Sequence, residues 1–119
     1  PRCVYTFPEI ASVGMTEEQA IAKGYSVRTQ KVDLAGNGKA IASFENKGFM
    51  KIIVDEQYGE ILGVVMVGAH VTEMISQATS FIHLEGTVEE LDSMIFPHPT
   101  ISEALFESAA AWLGQGVHY

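Results

Sequence analysis

Between Gly59 and Gly68 the chain runs almost without interruption through apolar residues: Ile61, Leu62, Val64, Val65, Met66 and Val67. Such a run, rich in β-branched side chains and bounded by glycines, reads as a strand covered on both faces at the centre of a sheet. A strand of this kind cannot stand alone. Its buried N–H and C=O groups need ladders on both sides, so the flanking sequence has to supply further strands and a covering layer.

It does. Residues 49–54 form a second apolar strand, and residues 55–58 form a turn, so 49–67 reads as an antiparallel hairpin. Residues 25–34 alternate Tyr25, Val27 and Thr29 against Ser26, Arg28 and Gln30, the period of a half-buried strand. Residues 3–7 read as a short strand ended by Pro8, with 9–14 as a connector. Gly36-Asn37-Gly38 breaks the chain, and residues 39–44 suit either one helical turn or an irregular loop.

Helical signals separate and follow the strands. Thr16 to Gln19 is a capping box, and Gly24 is a natural stop. Met74, Ile75, Ala78, Phe81 and Ile82 fall at helical spacing over residues 72–85, with Gly86 closing. Thr87 to Glu90 is a second capping box, opening a short helix to about Met94. A last helix is predicted over 101–113, with Ile101, Ala104, Leu105, Ala109, Trp112 and Leu113 as its apolar stripe and Gly114 as its end. The expected fold class is α+β: an antiparallel sheet of about four to five strands flanked by helices on one side. Residues 1–119 are expected to form a single domain.

Charge narrows the function. Seven Lys+Arg stand against fifteen Asp+Glu, a formal net charge of −8. Scattered cations on an acidic chain exclude a nucleic-acid face. No run approaches the ~20 apolar residues of a membrane-spanning helix. Cys3 is the only cysteine, so no internal disulfide forms. With no signal-peptide pattern, this points to a reducing, cytoplasmic setting. The opening Pro1-Arg2 leads to the expectation that the sequence is a domain cut from a longer protein.

The chemistry-bearing stretch is Phe96-Pro97-His98-Pro99-Thr100-Ile101-Ser102-Glu103. Pro99 pushes His98 out of helical geometry, and Thr100 with Glu103 three residues on has capping-box spacing. A rigidly held imidazole thus sits just ahead of a helix, with a carboxylate in its first turn. That pair suits general acid–base work, because a carboxylate fixes the imidazole tautomer and stabilises the imidazolium. The capping box alone also accounts for Glu103, so two uses compete for one carboxylate. Ser102 lacks the glycines of a nucleophile elbow, so a hydrolase triad is set aside. His83 and Glu85 point to different helix faces, and no metal site is expected from them with His70 or His118. Met50, Met66 and Met74 read as core filler.

The segment from His98 to Ala104, with Glu107, Ala109 and Ala110, resembles the C-terminal signature of the flavin-dependent disulfide reductases. The dihydrolipoamide dehydrogenases are the most similar group; glutathione reductases share His-Pro-Thr but tend to carry a second acid where this chain has Ala104. Residues 6–14, 48–51 and 61–68 resemble the opening and the central hairpin of the same family's dimerisation (interface) domain. The resemblance implies a homodimer. His98 would act as acid–base and Glu103 as its orienting partner in the active site of the other subunit. His98 and Pro99 would lie beside that subunit's flavin. It implies FAD and NAD in the full-length enzyme and, as a further partner, the acyltransferase core of a 2-oxoacid dehydrogenase complex. This chain has no G-x-G-x-x-G after a strand and no second cysteine, so alone it is expected to bind neither cofactor and to be inactive. A glutathione-reductase-like interface domain and a non-catalytic interaction module are the alternatives.

Overall fold

The computed structural model describes residues 2–4, 9–33, 48–68, 71–94 and 103–114. In chain order the elements are β1 (Arg2–Val4), β2 (Glu9–Gly14), α1 (Glu17–Ala22), β3 (Val27–Asp33), β4 (Phe49–Asp55), β5 (Ile61–Gly68), α2 (Val71–His83), α3 (Val88–Asp92) and α4 (Glu103–Trp112). The strands form one sheet in the order β1-β2-β5-β4-β3, and every ladder is antiparallel. The apolar run is the central strand, as its composition requires. Its backbone is satisfied by β2 on one side and β4 on the other.

Alternation divides the sheet into two faces. Met50, Ile52 and Val54 of β4 lie opposite Met66, Val64 and Ile61 of β5. They share the main core with Ala11 and with Val71, Ile75 and Ala78 of α2, Val88 and Leu91 of α3, and Ala104, Leu105, Ala109 and Trp112 of α4. Three of the described helices therefore cover one face. The buried Met50 and Met66 are core filler, as their setting in the strands predicts.

A β-bulge breaks the alternation at one place. Ile53 pairs with Gly63 and Val54 with Ile61, which leaves Leu62 as the extra residue. The bulge turns Leu62 towards the opposite face, where it packs with Ile53 and with Ala20 of α1 in a second, smaller cluster. The Leu62 carbonyl accepts from the Met15 N–H at 2.9 Å. α1 starts just beyond, on the Thr16–Gln19 capping box expected of it, in which both reciprocal bonds are present.

Two local readings change. Residues 9–14 form a full strand rather than a connector. Ala11, Ser12 and Gly14 have little strand propensity, and the segment is held by pairing with β1 and β5 on either side. At the end of α2, Glu85 takes the left-handed conformation at φ 57°, not Gly86. The Gly86 N–H donates to Phe81 O at 2.7 Å and the Glu85 N–H to Ile82 O at 3.1 Å, the paired bonds of a Schellman close. The second capping box, Thr87–Glu90, is present and opens α3. The loop around 36–44, the strand residues 5–7 and the Thr100 cap lie outside the described residues.

Gly63 shows how tightly the bulge is built. A Cβ added there would collide with the Met15 carbonyl oxygen, a backbone atom with no freedom to withdraw. Gly63→Ala should lower stability by about 2–3 kcal/mol, the scale of an overpacked core. Chemical denaturation with an unchanged m-value checks it, and an unchanged midpoint would refute it.

Candidate functional site

The carboxylate of the predicted pair opens α4. Glu103 is half-buried and stands in the first turn, where the helix dipole favours a negative charge. The helix behind it is firmly seated. Ala104, Leu105, Ser108, Ala109, Ala110 and Trp112 are buried, and the Ser108 hydroxyl donates to the Ala104 carbonyl at 2.8 Å. Glu103, Phe106 and Glu107, which fall on one stripe of the helix, each take part in a further interaction. His98, Pro99 and Thr100 lie outside the described residues, so the competition between capping Thr100 and pairing with His98 falls there too. Both helices that bracket this stretch are docked: α3 buries Val88 and Leu91, and α4 packs against α3, β3 and β4.

At the far end of α4 an unexpected pair ties the helix to the sheet. The Arg28 Nη2 of β3 donates to the Trp112 carbonyl at 2.6 Å. The Trp112 indole Nε1 donates back to the Arg28 carbonyl at 3.0 Å. The guanidinium carbon lies 3.9 Å from the centre of the indole ring. These residues are 84 apart in sequence. Strand alternation placed Arg28 on a sheet face without revealing its partner.

Elsewhere the described residues offer little chemistry. No group of three or more His, Cys, Asp or Glu could hold a metal ion among them, and His83 and Glu85 are both exposed. No described helix is long and apolar enough to cross a membrane. A groove of about 360 Å³ opens between α1 and the sheet, lined by Arg2, Ile10, Ser12, Thr16, Gln19 and Val65 among others. It has no pair of titratable groups and lies on the face opposite α4. On that same face Val4, Ile10, Val67 and Phe49 stand in register as one apolar row across four strands. Val4 and Ile10 are 42% and 40% exposed.

The comparisons with known proteins match this architecture. A family model described as the pyridine nucleotide-disulphide oxidoreductase dimerisation domain matches residues 1–109. The chain belongs to this family. Dihydrolipoyl dehydrogenase from Bacillus subtilis is 45% identical over 119 residues, all of this chain and 25% of the relative. Its counterpart from Zymomonas mobilis is 47% identical, again over the whole chain and 26% of the relative. Among solved structures, LpdA from Mycobacterium tuberculosis superposes with a TM-score of 0.86 at 30% identity, over 93% of this chain and 24% of that one. The HOCl-induced flavoprotein disulfide reductase RclA from Escherichia coli gives 0.86 at 28% identity, over 92% of this chain and 25% of that one. The dimerisation domain thus spans about a quarter of the curated relatives it matches.

Among the described residues, Glu60 is a perturbed carboxylate. Burial pushes Glu60 above the usual carboxylate range, helped by the charges of Glu85 and Asp55. The folded state therefore holds this proton more tightly than the unfolded chain, and ionising Glu60 costs stability as pH rises through and above that range. Glu60→Gln should raise the melting temperature slightly at neutral pH, an effect that solvent screening keeps small. It should give no gain at about pH 3, where both states are protonated. Melts of both proteins across that range check the sign; an equal gain at both ends would disprove it.

Proposed function

We propose that this chain is one domain of a flavin-dependent dihydrolipoamide dehydrogenase and supplies a His98–Glu103 acid–base pair to the active site of its partner subunit in a homodimer. One observation carries the reading: the chain is matched end to end, at 45–47% identity, by dihydrolipoyl dehydrogenases, and Glu103, five residues after His98 in the sequence, opens a docked helix. Exposed Val4 and Ile10, at one end of the apolar row they form with half-buried Val67 and Phe49, support an assembled domain over a free-standing module.

The chemistry follows from the residue types. The neutral imidazole of His98 accepts the proton of a substrate thiol, and the thiolate attacks a disulfide sulfur. One S–S bond forms as the other breaks, and the displaced sulfur leaves as thiolate. The carboxylate of Glu103 holds the imidazole in one tautomer and stabilises its protonated form. FAD and NAD would supply electron transfer in the full-length enzyme. The described residues do not fit a dinucleotide: every ladder is antiparallel, so no strand–helix crossover presents a helix N-terminus to a pyrophosphate. The cofactors, like the redox disulfide, would lie on polypeptide outside this chain, and residues 1–119 alone would be inactive. The acyltransferase core of a 2-oxoacid dehydrogenase complex is the macromolecular partner this reading implies, in the cytoplasm. The acidity of the chain is compatible with a basic docking module there.

In the full-length enzyme, His98→Gln should cut lipoamide turnover by about 10²–10⁴-fold while flavin content stays at wild-type level. Steady-state kinetics with absorbance of bound flavin measure both. Turnover within a few-fold of wild type would end the acid–base assignment.

A further inference from the structure

The structure assigns a positioning role to the Arg28–Trp112 clamp: by fixing the rotation of α4 it sets where the Glu103 carboxylate points. This rests on the acid–base reading of Glu103 given above. The last turn of α4 contains no basic residue to meet its unpaired carbonyls. Arg28 does so from another element, donating to the Trp112 carbonyl at 2.6 Å and bringing a cation to the negative end of the helix dipole. The return bond from the indole and the stacked guanidinium make the contact three-fold. One hydrogen bond would permit the helix to roll. Two opposed bonds and a stacked face define a single azimuth.

That azimuth matters at the other end. Glu103 and Trp112 begin and end α4. At about 100° per residue they project from opposite sides of the helix, roughly 14 Å apart along its axis. Trp112 is buried against the sheet while Glu103 is half-buried on the outer side. A helix with side chains is about 5–6 Å in radius, so a roll of about 20° sweeps an outer carboxylate through about 2 Å. Misplacement on the order of 1 Å is enough to cost a positioned catalytic group about 10²-fold. Of the eight residues between them four are alanine (Ala104, Ala109, Ala110, Ala111), and Leu105 is the one large side chain among them that is fully buried, so few knobs resist rolling. The clamp supplies that resistance.

The test is a double-mutant cycle in the full-length enzyme. Arg28→Met should lower the kcat for lipoamide about tenfold with KM within about twofold. Trp112→Phe, which keeps the ring but removes the indole donor, should give a smaller loss in the same parameter. In a Glu103→Gln background neither change should lower kcat further, because the group they position is already gone. A purely structural role would instead lower kcat by the same factor in both backgrounds, in step with lost dimer or flavin, and would overturn the proposal. So would wild-type kcat in both single variants. If Arg28→Met does not fold, Arg28→Lys and Trp112→Phe carry the cycle. If Glu103→Gln itself turns over normally, the acid–base reading fails first and takes the clamp with it; a normal effect of Glu103→Gln with additive clamp variants sinks the clamp alone.

Discussion

Burial of β5 on both faces and both edges is the constraint on which the other features depend. A strand of this composition exposes too much apolar surface to tolerate water on either side, and its backbone groups tolerate no missing ladder. The hairpin with β4 satisfies one edge locally. The other edge is satisfied only by β2, which precedes it by some fifty residues, and this is why the sheet order β1-β2-β5-β4-β3 departs from the order of the chain. The bulge at Leu62 is part of the same solution. It lets consecutive apolar residues, Ile61 and Leu62, serve different clusters, so that α1 has something to pack on while the three helices on the other face keep an unbroken core.

Once the sheet is fixed, it fixes the helices, in two different ways. α1 and α3 are six and five residues long, and each begins on its own Thr capping box. The longer helices receive support from strands. Thr72, in the first turn of α2, donates its N–H and its hydroxyl to Oε1 of Glu9, the first residue of β2. The C-terminal end of α4 is met by Arg28 of β3. Each contact places the appropriate charge at a helix end: carboxylate at the N-terminus, guanidinium at the C-terminus. A helix capped from its own sequence carries its cap wherever it docks. A helix capped from a strand is stable in one place only.

That distinction also marks the limit of what the sequence discloses. The capping boxes at Thr16 and Thr87, the stop at Gly24 and the central apolar run are signals within a few residues of one another, and each was legible. The strand at 9–14 was not. Its small residues carry no pattern of their own, and its conformation is imposed by neighbours far along the chain. Glu85 in the left-handed region was hidden for a similar reason: the Schellman bonds to Phe81 and Ile82 hold it there, against the usual preference for glycine. Of the candidate site, His98 and Glu103 were visible as residue types at a suggestive spacing, and resemblance gave them a role. The Arg28–Trp112 clamp leaves no trace in either local sequence, because its two halves become neighbours only when α4 docks on the edge strand.

On the proposed reading, this domain gives the enzyme a proton-transfer pair whose value depends on where it is held. That turns rigidity into the property that matters. A proton-transfer pair offered to another subunit has to hold its place without help from the substrate or cofactor of its own chain. On that reading the sheet is the pair's reference frame, and α4 carries Glu103 in its first turn. Apolar burial of Ala104, Leu105, Ala109 and Trp112 seats this arm on the core. Directional bonds at its far end define the angle. The same logic explains why the anchor stands as far from the chemistry as the helix allows. Residues near the site must suit the substrate, whereas residues at the opposite end are free to serve geometry alone.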